Sequence, residues 1–441
     1  VGDIALLMGV IALSSYGGEL SFSDLGAWAE TRPLGPFAAA LVGLSLIAGP
    51  TGKCAQFPLN LWLDEAMEGP NPAGILRNSI VVAAGAYVLI KLEPVFTLSP
   101  ISANALIVIG SITAIGASLM ALAQIDIKRT LSHSTSAWMG LIFIAVGLGQ
   151  VDIAFLLLFT HTLSKALLFM SIGSVVLNTS NQNITEMGGL WSRMPLTTFS
   201  FALGGASLVI LIPLSAFWTM FRWVGGSWAI PWWLLSILSI VNCLNALNLV
   251  RVFRLVFCDT PQPKTRRSPE APWPMAVPMM SLSIIVLLAP VAPIRWSLWL
   301  SSTVPVNVGN LPIVQWSLAI VMIAGLTGVI VGLLMRLNRP WAPPRNATLR
   351  FIQDMLADDF YLERIYNLTL VWLVGTSANI TTWFDRYIVD GVVNLVGFAT
   401  MLSGQALRYS VSGKSQGYVL TITVSLGILF VLTMAWMGLL A

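Results

Sequence analysis

The chain is 441 residues long, 56% hydrophobic and 10% charged, with a formal charge of +4. A soluble domain carries roughly 25% charged residues, so this composition excludes an ordinary soluble protein and specifies an integral membrane protein. The small net charge gives no footing for a nucleic-acid partner. Two histidines, His133 and His161, cannot by themselves make a usual zinc site, so no metal is expected. Cys54, Cys243 and Cys258 show neither CxxC spacing nor a disulfide framework, and Cys54 and Cys243 read as packing residues within apolar runs. No flavin, haem or iron–sulfur signature is present, so no cofactor is expected in this chain.

Taken in chain order, candidate membrane crossings fall at about 3–17, 36–62, 73–92, 103–125, 130–149, 152–178, 195–222, 229–257, 274–293, 314–336 and 417–440, each near the bilayer-spanning length. The apolar runs are continuous rather than alternating, which disfavours a strand barrel. The fold class is therefore all-α, a polytopic membrane helix bundle. Two crossings are interrupted. In the second, Gly49-Pro50-Thr51-Gly52-Lys53 precedes Pro58, which predicts a break or unwinding beside Lys53. In the crossing at 195–222, Pro213 marks either a kink or part of a site. Broken membrane helices free backbone groups and are tolerated where they line protein or a hydrated cavity.

The stretch Cys258–Pro274 is a basic, proline-rich loop whose Lys264, Arg266 and Arg267 favour the cytoplasmic or stromal side. From Phe351 to about Ser412, charges mix with Leu, Trp and Tyr at helical spacing. That pattern reads as an amphipathic helix along protein or the membrane interface, with a simple surface helix as the alternative. The crossing at 417–440 anchors it.

The residues that carry chemistry are ionisable groups in apolar runs. His161 and Lys165 lie near the centre of the 152–178 run, four residues apart and so on one helix face. Ionisable groups at such depth are costly and mark ion or proton pathways. Lysine suits proton loading, since desolvation pulls its pKa towards neutrality and a nearby carboxylate pushes it back. Histidine supplies an intermediate relay. Lys53, Arg77 and the Asp126/Lys128/Arg129 cluster join this set, although helix-end snorkelling is the plain alternative for the cluster. Asp64, Glu65 and Glu68 follow the broken helix as partners for Lys53 or as caps of the next turn. The plain alternative for the buried lysines is a satisfied structural ion pair. GPTGKC is no phosphate-binding loop, because GxxxxGK[ST] spacing and a preceding strand are both lacking.

Five ordered motifs, GKCAQFPLNLWLDEAMEGPNP (52–72), AQIDIKRTLSHST (123–135), FTHTLSKALLF (159–169), MGGLWSRMP (187–195) and PLSAFW (213–218), resemble the antiporter-like subunits of respiratory complex I and its photosynthetic NDH relative. Within that group the resemblance is to the F-type subunit, also called chain 5, and it covers essentially the whole chain. It implies an antiporter-like proton-translocating domain at 1–350, a lateral amphipathic helix at 351–412 and a transmembrane anchor at 413–441. It also implies further helices upstream of Val1, one bearing a key glutamate, in keeping with a chain that begins Val-Gly-Asp without Met. By position, Lys53 matches the broken-helix lysine, His161 and Lys165 the relay and second lysine, and Lys128 the DIKR lysine, with Asp126 beside it as an electrostatic partner. Glu65 stands where the family usually has Asp.

Three departures stand out. Arg77 occupies about the position of a family histidine. Leu157 replaces a second histidine one turn before His161. The family's FWSKDE reads Phe217-Trp218-Thr219-Met220-Phe221-Arg222, so the exit-side lysine is Met220 and its acidic neighbour Phe221. Methionine carries no proton, which leaves Arg222 or water to compensate, and Arg acts as an electrostatic gate rather than a carrier. These changes, with RSPEAPWPM (267–275) and WFDRYIVDGVVNLVG (383–397), resemble the cyanobacterial F-type subunits of NDH complexes associated with CO2 uptake. The resemblance implies a thylakoid location, neighbouring membrane-arm subunits along the lateral helix, lipid contacts, and a CO2-hydrating partner protein. It places electron transfer from ferredoxin or NAD(P)H to plastoquinone in other subunits. Two competing readings are an independent Na+/H+ antiporter subunit, which the lateral helix argues against, and a non-pumping scaffold, which Met220 and Phe221 motivate.

Overall fold

The computed structural model describes residues 2–17, 21–31, 34–225, 230–294, 311–335, 347–411 and 413–437. Among these all the regular elements are helices, and the sole β-like pairing is an isolated bridge between Asp126 and Asn183. Of the expected crossings and lateral segment, residues 229, 336, 412 and 438–440 lie outside the described residues. The elements that place the site are α1 (Gly2–Gly17), α2 (Pro36–Lys53), α3 (Leu61–Glu65), α4 (Asn71–Lys91), α5 (Pro100–Ala123), α6 (Ile127–Gly147) and α7 (Val151–Thr179). They are followed by α8 (Pro195–Leu208), α9 (Ser215–Val224), α10 (Trp232–Cys258), α11 (Trp273–Leu288), α12 (Leu311–Leu334) and α13 (Ala347–Ala357).

Seven described helices are long and apolar enough to cross a membrane, among them α4, α5, α7, α10 and the Trp316–Leu334 part of α12. The helix α6 is absent from that set, although a crossing was expected at 130–149. Its sequence carries Thr130, Ser132, His133, Ser134, Thr135 and Ser136, and it is buried around nearly its whole circumference. A helix enclosed by protein can carry polar side chains that a lipid-facing one cannot. The crossing expected at 195–222 is two helices, α8 and α9, separated around Pro213.

Close helix approach explains how α6 is enclosed. A Cβ at Gly110 of α5 would lie 2.5 Å from the Gly140 carbonyl oxygen, and one at Gly140 would lie 2.6 Å from that of Gly110. Small residues at such a crossing let two membrane helices pack backbone to backbone. Arg251 of α10 is buried and donates to the carbonyls of Leu122, Ala121 and Gln124, satisfying the end of α5. At the start of α8, Pro195 occupies the first turn and Glu270 accepts from Leu196 N at 2.8 Å and from Thr197 Oγ1 at 2.6 Å. A carboxylate there satisfies free amides and complements the helix dipole. The basic loop is fixed by Lys264, which donates to Glu186 Oε2 at 2.6 Å.

The chain divides into two compact units, Val1–Leu362 and Glu363–Ala441. The first contains all helices named so far. In the second, residues 363–410 are helical with π turns at Asn367–Val371 and Asp385–Val389, followed by α14 (Ser415–Trp436). At 1.5 Å per residue the 363–410 helix is about 70 Å long, more than twice the roughly 30 Å hydrocarbon layer. It is far too long for one crossing, which accords with the lateral helix read from the sequence. Leu368, Trp372, Val374, Trp383 and Phe384 are exposed along it, interspersed with Asp385, Arg386 and Asp390.

Candidate functional site

Two helix breaks and the enclosed α6–α7 pair between them hold the ionisable groups. At the first break α2 runs through Pro50 to Lys53 and stops, with Cys54 as its cap. The extended chain beyond is tied down by side chains. Gln56 Nε2 donates to the carbonyls of Cys54 at 3.0 Å and Ser136 at 3.1 Å, and Trp62 Nε1 donates to that of Gly52 at 2.7 Å. Lys53 therefore sits on the last turn of a terminated helix, where a cation complements the dipole. Its partner is Asp3 of α1, with Nζ 3.5 Å from Oδ2. The sequence offered Asp64, Glu65 and Glu68 either as partners for Lys53 or as caps of the next turn, and none of them pairs with Lys53 among the described residues. Asp64 and Glu68 both pair with Arg129, at 3.3 and 3.6 Å, and Glu65 is exposed and without an ion pair among the described residues.

The centre of the site is α6 facing α7. Asp126 caps α6, its Oδ1 accepting from the backbone amides of Lys128 at 2.7 Å and Arg129 at 3.0 Å. That cap turns Lys128 inward. Its Nζ reaches the carbonyls of Met67 at 3.4 Å and Gly69 at 3.5 Å, and the side chain is buried. Snorkelling to the helix end is therefore not what this lysine does. Lys165 is fully buried, and its Nζ donates to the Leu131 carbonyl at 3.1 Å and Ser134 Oγ at 2.9 Å. Lys165 thus reaches α6 at Leu131 and Ser134, three and six residues beyond Lys128, while Lys128 itself turns to the chain between α3 and α4. Ser134 Oγ in turn donates to Asn245 Oδ1 of α10 at 3.1 Å.

His161 is also fully buried, one turn from Lys165 as its spacing predicted. Its Nε2 lies 3.1 Å from the Asn78 carbonyl oxygen, which can only accept, so that nitrogen donates. A local irregularity supplies this acceptor. Residues Arg77–Val81 form a π turn, in which the Val82 amide donates to the Arg77 carbonyl rather than to that of Asn78. The Asn78 oxygen is left for His161. Arg77 itself is half-buried and donates from Nη1 to the Ala66 carbonyl at 2.6 Å, holding the chain between α3 and α4.

The second break separates α8 from α9. Its loose backbone is satisfied from α10, where Asn242 Oδ1 accepts from Ile210 N at 3.0 Å; Asn242 Nδ2 also donates to the Val321 carbonyl of α12 at 2.9 Å. Asn245 Nδ2 reaches the Leu208 carbonyl at 3.4 Å. Met220 is fully buried beside Thr219, whose Oγ1 is 3.4 Å from Thr160 Oγ1 on α7. Phe221 and Arg222 are half-buried, and the electrostatic neighbour of Arg222 is Asp152. The structure thus buries Lys128, Lys165 and His161 within the helices between the two breaks, and puts Lys53 on the last turn of α2 and Met220 in the middle of α9.

Asp64, beside the first break, is buried, and burial pushes its carboxyl up to about 6 against the pull of Arg129. Sequence reasoning missed Asp3, Ser134, Asn245 and the pairing of Asp64 with α6. The polar run SHSTS inside an apolar stretch was the available signal for Ser134. Nothing local marks Asp3 as the partner of Lys53.

Broken helices around buried lysine and histidine define a multi-pass membrane protein of the ion-handling class. Residues 1–245 match the family described as NADH:quinone oxidoreductase/Mrp antiporter, transmembrane. The chain belongs to this family, within its NAD(P)H-quinone oxidoreductase subunit 5 group. It is 48% identical over 441 residues to NAD(P)H-quinone oxidoreductase subunit 5, organellar chromatophore 2, of Paulinella chromatophora, covering 99% of this chain and 69% of that protein. It is 30% identical to the chloroplastic subunit 5 of Zygnema circumcarinatum, covering 99% of this chain and 73% of the relative. Among solved structures, the Mrp complex from a Dietzia species has a chain of the same fold, with TM-score 0.68 and 20% identity. That likeness covers 97% of this chain and 48% of the other, so this chain spans about half its length.

Proposed function

We propose that this chain is a proton-translocating membrane-arm subunit of an NDH-1-type NAD(P)H/ferredoxin:plastoquinone oxidoreductase in a thylakoid membrane. Quinone reduction takes place in other subunits, and this chain binds no redox cofactor. The observation that carries the reading is the enclosed polar stretch of α6, where Lys128 is buried in the first turn and the Leu131 carbonyl and Ser134 Oγ accept from the buried Lys165 of α7. Every group on it is enclosed by protein, where a change in a neighbouring charge acts with little solvent screening. The Lys53–Asp3 pair is the loading end, His161 is the branch of the relay, and Arg77 and Asp126 fix the surrounding backbone. Neighbouring membrane-arm subunits are the partners along the 363–410 helix.

In membrane vesicles holding the assembled complex, Lys165→Met is expected to lower proton uptake per electron at least about tenfold, with quinone reductase subunits still copurifying. Unchanged uptake in that assembled variant would refute the reading. Arg77, Leu157, Met220 and Phe221 support a refinement in which the altered exit serves CO2 conversion by a bound CO2-hydrating protein. Copurification of such a protein with the complex tests it. The burial of Met220 favours one second reading, a subunit that no longer pumps. Met220→Lys with Phe221→Asp separates the two: a rise in proton yield per electron argues for a working interior, and no change argues for a scaffold.

A further inference from the structure

Three side chains from distant parts of the chain converge beside the start of α6. His133 projects from α6, Asp64 from α3, and Asp359 from the turn after α13. His133 Nε2 stands 3.3 Å from Asp359 Oδ1 and 3.6 Å from Asp64 Oδ1, and the three atoms lie within 4.8 Å of one another. All three residues are buried, His133 being 3%, Asp64 7% and Asp359 8% exposed. Yet no hydrogen bond among the described residues reaches any of these three atoms. Buried polar groups in folded proteins are nearly always satisfied, so three such atoms facing one another call for a shared partner.

Spacing and charge indicate what that partner is. Hydrogen bonds between charged groups close to about 2.7–2.9 Å, shorter than either separation here. Two ligands of one tetrahedral ion, each about 2.0–2.1 Å from the metal, stand roughly 3.3–3.4 Å apart. The observed 3.3 and 3.6 Å fit that edge length. Arg129 Nη1 lies 3.3 Å from the other Asp64 oxygen, Oδ2, and so orients the carboxylate with Oδ1 facing His133. One imidazole and two carboxylates supply nitrogen and oxygen donors of the kind a divalent cation takes.

The local backbone is built to deliver Asp359. Asp359, Phe360 and Tyr361 have φ of 51°, 57° and 55°, a left-handed run that non-glycine residues avoid. Packing of Phe360 and Leu356 against Ala117, Met120 and Ala137 holds it, with Gln124 Nε2 donating to the Ala357 carbonyl at 3.1 Å.

We propose that Asp64, His133 and Asp359 form a binding site for a divalent transition-metal cation, with Zn2+ the best match to one imidazole, two carboxylates and this spacing. A fourth position is left for water. The bound cation staples the 359–361 turn to α3 and α6, just over one helical turn from Lys128.

The test uses the full chain, stripped with a chelator and titrated with Zn2+ alone, read by metal analysis after dialysis and by zinc X-ray absorption. One Zn2+ per chain is expected, in a nitrogen and oxygen shell at about 2.0 Å containing one imidazole. His133→Gln and Asp359→Asn should each weaken binding at least about tenfold. Asp358→Asn, at an exposed neighbouring position, should leave it unchanged. Absence of saturable Zn2+, a shell without imidazole, or affinity unchanged in both ligand variants would overturn the proposal, the last by pointing to a cluster held by protons alone. If either variant fails to fold, the zinc shell of the unaltered chain decides.

Discussion

The two helix breaks use the same backbone device for opposite ends. At the first, α2 stops at Lys53, and the freed groups are satisfied by Gln56 and Trp62 from the break itself. The break ends on a charge, paired with Asp3 on a different helix. At the second, α8 and α9 part around Pro213, and Asn242 and Asn245 on α10 satisfy the gap. The helix that follows that break carries buried Met220 at its middle, whereas the helix before the first break ends on a lysine. A broken helix is therefore only a frame. The side chains beside the two breaks differ: Lys53 on the last turn of α2 is charged, and Met220 within α9 is not.

The largest test of this contrast removes the charge. Lys53→Met in the assembled complex is expected to cut proton uptake per electron at least about tenfold, measured by dye quenching in vesicles. An equal loss on altering the second break at Met220 would erase the distinction. Asn242→Leu attacks the frame instead, leaving Ile210 N without its partner and removing a tie from α10 to α12. It should lower thermal stability in detergent by about 1–3 kcal/mol, with proton yield per surviving complex unchanged.

Much of this was legible in the sequence, for reasons that differ by residue. His161 and Lys165 lie in one uninterrupted apolar run, so their spacing alone fixed a shared face. Gly49, Pro50 and Pro58 forecast the first break, and Pro213 the second. The pairings across helices were not legible. Asp3 meets Lys53 because α1 packs on α2, and Asp64 turns to Arg129 and His133 because α3 ends beside α6. A count of two histidines likewise left out the carboxylates that the fold brings to His133. The enclosure of α6 also escaped: its sequence reads as a crossing at 130–149, and only the close approach of Gly110 and Gly140 shows how protein surrounds it.

Two smaller effects sharpen the comparison. Met220→Leu should change stability by less than about 1.5 kcal/mol and leave proton yield as it was, because the swap conserves apolar volume. A pH effect is expected at the loop before α11. The hydrogen bond from Lys264 holds the Glu186 carboxyl below its ordinary value. Its contribution is present above the unfolded-state value and is lost as pH falls through the lowered one. Protease nicking of the 258–272 loop should therefore rise on acidification below the ordinary glutamate range, and Lys264→Ala should remove that dependence. Both side chains are about half exposed, so neither break should notice.

The π turn at Arg77–Val81 has a consequence for how such a relay can arise. A π turn holds one residue more than the α turn it replaces. Gaining or losing it takes a single inserted or deleted codon, with no exchange of side-chain chemistry. Deleting one residue within 77–81 would return the Asn78 oxygen to the helix ladder and swing Arg77 about a quarter turn around the axis. The acceptor facing His161 is thus a matter of reading length, and lineages could switch it on or off while every ionisable residue stayed in place.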